Sequence, residues 1–299
     1  MPSLRYQLFL ALGRALSKGI NRIGDETREF SLPQLRAARV SQEMLGQRRA
    51  IKVEPAVNSR GRMLYLHGGA YVAGTAQHGI QTFWRIARHN QLTLWSLDYS
   101  LAKEARFPTA VEEVQAACEI LLARGEGPLI VAGESAGAGL ALAATLALRD
   151  SGRTMPDALV LLYPWCDLTL SGQSIKENTG RDLLRESLLA DAASRYSDSR
   201  IADPLASPLF ANLAGLPPSF IQVGDRDLLL DDARRLHKRL IDAGNKSKLS
   251  VWPDMVHAFT LSTRFFPEAR AAEYEAAQAI ASLCPQLKRW PARAEEWHS

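Results

Sequence analysis

Short apolar runs alternate with longer amphipathic stretches along most of this chain. Six runs have the length and composition of buried strands, at 62–66, 92–98, 128–132, 158–163, 219–223 and 248–252. Hydrophobic residues at helical spacing occupy four stretches between or after them, at 108–124, 137–150, 229–243 and 267–283. This alternation predicts an α/β fold, in which a mostly parallel, twisted sheet is flanked by helices.

Two segments interrupt the alternation. Residues 1–45 are expected to hold helices before the first strand, because apolar side chains recur there every four positions up to Ile20. Residues 166–217 separate two strands that a short crossover could join. They include a helical pattern at 181–196 and a proline-marked stretch at 203–208.

Ser135 stands at the junction of a predicted strand and a predicted helix. It is the centre of Gly-Glu-Ser-Ala-Gly at 133–137, directly after the apolar run 128–132. A turn this tight needs residues without bulk two positions before and after the serine, and glycine has no Cβ. Alone, the G-x-S-x-G pattern marks only a glycine-flanked turn. Between a strand and a helix, it predicts a nucleophilic serine on a strained corner at the carboxyl end of the sheet.

A serine hydroxyl needs a base to take its proton, and the base needs an acid to orient it. In this architecture they follow in the order serine, acid, histidine. His257 fits the last place, because it follows an apolar strand pattern and lies on a short loop. The other five histidines precede the serine, lie in a charged helical stretch or stand at the chain end: His67, His78, His89, His237 and His298.

Three aspartates compete for the place of the acid. All follow the strand pattern at 219–223, as Asp225, Asp227 and Asp231. Asp231 falls in the first turn of the next predicted helix, where a carboxylate interacts favourably with the helix dipole without any catalytic role. The loop position favours Asp227, with Asp225 as the alternative.

Donors for a developing oxyanion are expected after the strand at 62–66. Gly68 and Gly69 follow it, and consecutive glycines let main-chain N–H groups face a ligand. The expected oxyanion hole is therefore the amides of Gly68, Gly69 and Ala136, the last being the residue after the serine. His67 would brace this loop. A glycine pair in a simple hairpin turn is the alternative interpretation.

These motifs resemble those of the hormone-sensitive-lipase-like esterases, the bacterial family IV branch of the α/β hydrolases. The resemblance runs from about Met63 to Phe259 and is carried by four motifs in order, at 67–74, 98–104, 133–138, and 224–232 with 257–259. It implies an α/β-hydrolase fold with a helical cap and a catalytic triad of Ser135, Asp227 and His257. It also implies a carboxylesterase that hydrolyses short-to-medium acyl esters of small molecules and that uses no cofactor or metal. Lactones and acetyl esters are alternative substrates among which the sequence does not choose.

The chain departs from the family pattern at several positions. Ala70 replaces a usual third glycine, and Ala258 stands where glycine is common. Glu134 precedes the serine where aspartate is common, and Ser100 and Lys103 stand where arginine and proline are usual. No catalytic group is lost, so the departures bear on loop geometry and substrate preference.

The resemblance also suggests a role for the two interrupting segments. We expect residues 1–299 to form a single catalytic domain, in which 1–45 and about 166–217 contribute the helical cap over the active site. A cap excludes water and shapes the substrate pockets.

Composition agrees with a compact catalytic unit. The chain of 299 residues is 46% hydrophobic and 23% charged, with a net charge of +4 and a pI near 9.0. Its basic residues are scattered, which argues against nucleic acid as a partner. No stretch approaches the length of a membrane span, so stable membrane insertion is not expected. The expected partner is a small-molecule ester, and a homodimer is left open.

The cysteines and the N-terminus bear on the compartment. Cys118, Cys166 and Cys284 are odd in number and far apart, which favours free thiols in a reducing compartment. The apolar run near the N-terminus is too short for a signal peptide core. The expected location is the cytoplasm.

Two other function classes fit part of the sequence. The glycines at 133–139 also match the phosphate loop of a short-chain dehydrogenase, and Tyr99 and Lys103 supply the spacing of its catalytic pair. Their order argues against it, because in those enzymes the loop precedes the tyrosine. A non-catalytic ligand receptor on the same fold is the second alternative. The presence of all three triad residues favours turnover.

Overall fold

The computed structural model describes residues 3, 4, 6, 7, 32–125, 127–262 and 266–287. Within them lies one sheet of eight strands: β1 (Ala38–Leu45), β2 (Arg48–Pro55), β3 (Gly61–Leu66), β4 (Leu92–Leu97), β5 (Leu129–Glu134), β6 (Ala158–Leu162), β7 (Ser219–Gly224) and β8 (Ser247–Trp252). The helices are α1 (Ile80–His89), α2 (Thr109–Ala123), α3 (Ala136–Asp150), α4 (Ser174–Glu177), α5 (Glu186–Ser197), α6 (Leu230–Asp242) and α7 (Pro267–Leu283).

The sheet has the order β1-β2-β4-β3-β5-β6-β7-β8. Strands β3 to β8 run parallel to one another, whereas β2 is antiparallel to both β1 and β4. Parallel neighbours require crossovers, and helices supply most of them. The predicted α/β fold with a mostly parallel sheet is therefore confirmed.

The core lies on both faces of the central strands. Every residue of β3 through β7 is buried, which explains why these segments are continuous apolar runs rather than alternating ones. Helix α1 packs against α7, and α2 packs against α3, so the helices flank the sheet. The six predicted strands and four predicted helices are all present.

Residues 38–45 correct the prediction of helices across 1–45. They form β1, which pairs with β2 from Ala38 opposite Pro55 to Leu45 opposite Arg48. Their burial alternates along much of the strand, as expected for an edge strand with one face on the core. The pairing of β2 with β4 attaches this hairpin to the sheet, and that contact is non-local. Most of the predicted N-terminal helix lies outside the described residues.

Residues 163–218 connect β6 to β7 and contain the predicted insertion. The helix predicted at 181–196 begins only at Glu186, because Arg185 before it is extended. The insertion packs on the loop after β3, where the ring of Tyr196 stacks on that of Tyr71 at 3.9 Å between centroids. It therefore lies beside the carboxyl edge of the central strands.

Candidate active site

The turn between β5 and α3 presents Ser135. Its φ of 53° and ψ of −122° are a strained conformation for a residue with a side chain. A Cβ on Gly137 would lie 2.1 Å from the carbonyl oxygen of Leu66, and one on Gly133 would lie 2.3 Å from that of Gly137. No side chain fits at either position, which is the physical reason for both glycines of the motif.

The structure brings the serine, a histidine and an aspartate into one line. His257 Nε2 lies 3.0 Å from Ser135 Oγ, and His257 Nδ1 lies 3.0 Å from Asp227 Oδ2. The other carboxylate oxygen of Asp227 accepts the N–H of Leu229 at 2.8 Å. Asp227 is fully buried, whereas Ser135 keeps 6% of its surface exposed. These are the three side chains that the sequence singled out.

The competing aspartates have other partners. Asp225 Oδ1 accepts the N–H of Asp254 at 2.7 Å, and Asp231 Oδ2 accepts the N–H of Ser174 at 3.0 Å. Both therefore tie loops together rather than contact His257. Of the three candidates, Asp227 is the one whose carboxylate contacts the imidazole of His257.

Contacts from distant parts of the chain hold the loop that carries His257. The hydroxyl of Tyr6 donates to the carbonyl of Asp254 and accepts the N–H of Val256, each at 2.9 Å. The N–H of His257 itself donates to Asp182 Oδ1 at 3.0 Å. The ring of Tyr163 meets the imidazole edge-on at 4.9 Å.

The loop after β3 differs from the prediction at Gly68. Its N–H donates to Oε1 of the buried Glu134 at 3.0 Å, so it is not available to an oxyanion. Its carbonyl accepts from Nδ1 of His67, which lies 2.7 Å away. His67 is fully buried and stacks on Tyr99, as expected of a residue that braces the loop.

Other amides at this turn remain available. Gly69 and Ala70 have positive φ values of 113° and 54°. Neither of their N–H groups, nor that of Ala136 at the start of α3, has an acceptor among the described residues. The first turn of a helix leaves such donors free by construction.

Comparison with known proteins identifies the family. Residues 63–261 match the model of the α/β-hydrolase fold family. An acetyl-hydrolase of Streptomyces hygroscopicus is 39% identical over 74% of this chain and 75% of its own length. An esterase of Acinetobacter venetianus is 33% identical over the same shares. A crystal structure of an esterase from the bacterial hormone-sensitive lipase family superposes with a TM-score of 0.84 at 32% identity, covering 96% of this chain and 99% of that one.

The chain belongs to the α/β-hydrolase family. Its relatives confirm the predicted membership of the hormone-sensitive-lipase-like group and the prediction of a carboxylic ester hydrolase. The dehydrogenase alternative is wrong. The glycines at 133–139 form the serine turn and the start of α3, and the hydroxyl of Tyr99 is buried and donates to the carbonyl of His67.

Two departures from the family pattern occupy strained positions in this hydrolase. Ala70 has a φ of 54° and Ala258 a φ of 57°, both in the left-handed region that glycine adopts without steric cost. The usual glycines at these positions therefore have a conformational reason. Alanine keeps the same backbone here at a cost that the surrounding packing must offset.

Charge in the site favours a protonated histidine. Burial by itself lowers the pKa of His257, but attraction to Asp227, Asp182 and Glu134 outweighs this effect, so the pKa is raised. Burial also raises the pKa of Asp182 to about 6, and repulsion from Asp227 adds to that rise. The imidazole thus lies among more negative charge than the triad alone provides.

Sequence reasoning missed the roles of Asp182 and Glu134. Glu134 stood out only as a family departure, and its contact with Gly68 depends on two strands lying side by side. Asp182 carries no local signal at all. Within the described ranges no helix is long and apolar enough to cross a membrane, and no cluster of three or more histidine, cysteine or acidic side chains could hold a metal ion.

Proposed function

We propose that this hydrolase is a serine carboxylesterase that works through an acyl-enzyme intermediate. Ser135 is the nucleophile, His257 the general base and acid, and Asp227 the group that orients the imidazole. The observation that carries the proposal is the continuous pair of 3.0 Å contacts from Asp227 through His257 to Ser135. Each contact has the length of a hydrogen bond.

The first half-reaction forms the acyl-enzyme. With its Nδ1–H donating to Asp227, His257 presents an unprotonated Nε2 that takes the proton of Ser135 as Oγ attacks the ester carbonyl. Asp227 stabilises the imidazolium that forms. The imidazolium then gives its Nε2 proton to the leaving alkoxide, and the C–O bond of the ester breaks.

The second half-reaction releases the acid. Water loses a proton to His257 Nε2 and attacks the acyl carbonyl, and the same proton returns to Ser135 Oγ as the acid leaves. The raised pKa of His257 matches this shuttle, because a base that is too weak would not take the serine proton.

The oxyanion of both tetrahedral intermediates needs main-chain donors. We assign this role to the amides of Gly69 and Ala136, and add Ala70 in place of Gly68. The support is that these three donors have no acceptor among the described residues, while Gly68 is bound to Glu134. Glu134 then stabilises the loop after β3 by accepting the N–H of Gly68.

The insertion at about 166–217 is proposed as the cap of this single catalytic domain, joined by part of 1–45. Its packing on Tyr71, next to the oxyanion loop, supports the assignment. We propose acetyl and other short acyl esters of small molecules as substrates. Two relatives named acetyl-hydrolase and esterase support this class.

The decisive variant is Ser135→Ala. We expect kcat on p-nitrophenyl acetate to fall by about 10⁶-fold, since removal of one member disables the triad as a unit. The matched control is Ser151→Ala, which removes an exposed hydroxyl at the end of α3 and should leave kcat unchanged. A fluorophosphonate should add mass to the wild-type and control proteins and not to Ser135→Ala.

Retained turnover in Ser135→Ala would overturn the nucleophile. Absence of turnover by the wild type across an ester panel of increasing acyl length would favour the receptor alternative instead. The same panel ranks acyl chains, so its maximum tests the proposed preference for short acyl groups.

A further inference from the structure

Asp182 is a buried carboxylate that the proposed chemistry does not use. It lies in the insertion, before α5, with 5% of its surface exposed. Oδ1 accepts the N–H of His257 at 3.0 Å and that of Leu183 at 2.6 Å. Oδ2 accepts the N–H of Leu228 at 2.8 Å. One side chain of the insertion therefore binds the main chain of two catalytic loops.

Two neighbouring side chains of the insertion also form hydrogen bonds to the loop that carries Asp227. Nδ2 of Asn178 donates to the carbonyls of Asp225 and Asp227, at 3.1 and 2.8 Å. Oγ of Ser174 donates to the carbonyl of Leu228 at 2.6 Å. Of Asp182, Asn178 and Ser174, only Asp182 forms a hydrogen bond to the loop of His257 as well, among the described residues.

The two loops it joins leave different strands. Asp227 follows β7 and His257 follows β8, so their separation depends on how both loops are held above the sheet edge. A displacement of about 1 Å in such a site can cost about a hundredfold in rate. The distance between His257 Nδ1 and Asp227 Oδ2 depends on the links between the loops. Asp225 supplies one link through the N–H of Asp254, and Asp182 supplies the link that binds the main chain of His257 itself.

We propose that Asp182 is a positioning residue of this esterase, whose carboxylate locks the main chain of His257 to that of Leu228 and so sets the contact between His257 and Asp227. The inference rests on the proposed triad and extends its support into the insertion. Asp182 does not touch the reacting atoms. Its effect on catalysis passes through the imidazole.

The carboxylate also acts on the imidazole through its charge. The titratable groups that face His257 are Asp182, Asp227, Glu134 and Tyr163, and those that face Asp182 are Asp227, His257 and Tyr6. Asp182 is one of the charges that raise the pKa of His257. Catalysis needs the neutral imidazole, so the activity of the wild type declines as the pH falls through this raised value. Removal of the charge lowers the pKa and moves the decline to lower pH.

The test is Asp182→Asn, which keeps the shape of the side chain. The amide has one acceptor oxygen instead of two, so one of the two loops loses its bond. We expect kcat on p-nitrophenyl acetate to fall by about tenfold to a hundredfold, with KM unchanged. We also expect the acid limb of the pH–kcat/KM profile to move to lower pH.

Two further variants separate position from charge. Asp182→Glu keeps the charge and displaces the carboxylate, so kcat should fall while the acid limb stays in place. Asp198→Asn removes an exposed carboxylate of the same insertion and should change neither quantity. Thermal unfolding by circular dichroism shows whether each variant is folded. If Asp182→Asn does not fold, the inference is judged from Asp182→Glu alone, for which it requires a lower kcat and an unmoved acid limb.

The outcomes distinguish this inference from the proposed function. Suppose that the wild type hydrolyses ester. If Asp182→Asn then has the kcat of the wild type and the acid limb of its pH–kcat/KM profile does not move, only the role of Asp182 is overturned. If Asp182→Glu has the kcat of the wild type, the role of Asp182 is likewise overturned. If kcat is lower and the acid limb is unmoved in both Asp182→Asn and Asp182→Glu, the effect of the Asp182 charge on the pKa of His257 is contradicted, and the positioning role alone is supported. A wild type without turnover contradicts the triad itself.

Discussion

At the scale of single residues, the acid of the proposed triad is decided by hydrogen bonding. Asp225 and Asp227 are two positions apart on one loop, and local sequence separates them only weakly. In the structure Asp227 is buried and contacts His257, whereas Asp225 binds the main chain of Asp254. The same residue type thus has a proposed catalytic position and a structural position in one turn.

This difference predicts unequal effects of removing each charge. Asp227→Asn should lower kcat by about 10⁴-fold, because the amide no longer favours the tautomer with a proton on Nδ1. Asp225→Asn should retain most activity, since the amide oxygen can still accept the N–H of Asp254. Steady-state kinetics of both variants on one ester measures the contrast. The opposite ranking would move the acid to Asp225.

At the scale of elements, the strand–turn–helix of β5 and α3 sets the position of Ser135, the proposed nucleophile. The strained backbone of Ser135 persists because packing on both sides leaves no alternative. The carbonyl of Leu66, at the end of the neighbouring β3, lies against Gly137. The glycine requirement is therefore partly non-local, since it depends on the contact between α3 and β3.

Gly137→Ala tests this packing. The added methyl group has no space beside the Leu66 carbonyl, so we expect the free energy of unfolding to fall by about 3 kcal/mol, at the upper end for overpacking. The control is Gly152→Ala, where a methyl group meets no atom within 4 Å and only the positive φ of 67° is unfavourable. That cost is about 1 kcal/mol. Urea denaturation of both variants measures the difference, and equal losses would contradict steric exclusion at the turn.

At the scale of the whole molecule, one continuous core surrounds the central strands and encloses all three cysteines. Cys118, Cys166 and Cys284 are free and at most 1% exposed. Burial raises the pKa of Cys118 and of Cys284 to about 12, and raises that of Cys166 as well. Thiolate is the reactive form, so we expect these thiols to be unreactive in the folded protein.

A thiol titration checks this protection. Ellman's reagent should react with none of the cysteines in the native protein during the assay, and with three after denaturation in urea. Ser151→Cys places a thiol on the exposed end of α3 and should add one fast native reaction, which verifies the detection. Rapid reaction of a native cysteine in the wild type would show that the core opens locally.

The sequence alone determined the α/β class, the central strands and helices, and the serine and histidine of the proposed triad, and it favoured Asp227 over Asp225 as the acid. These follow from short-range patterns: apolar runs of strand length, a glycine-flanked serine, and the order of serine, acid and histidine. The hairpin of β1 and β2 escaped prediction, because its place at the sheet edge depends on pairing with β4.

Only the tertiary structure decided which groups meet around the triad. The Gly68 amide is bound by Glu134 across neighbouring strands, and Asp182 reaches His257 over 75 positions of sequence. The physical reason is that a hydrogen bond requires two groups within about 3 Å, and chain spacing sets no such distance between remote segments. Local patterns specify the elements, and their packing specifies the site.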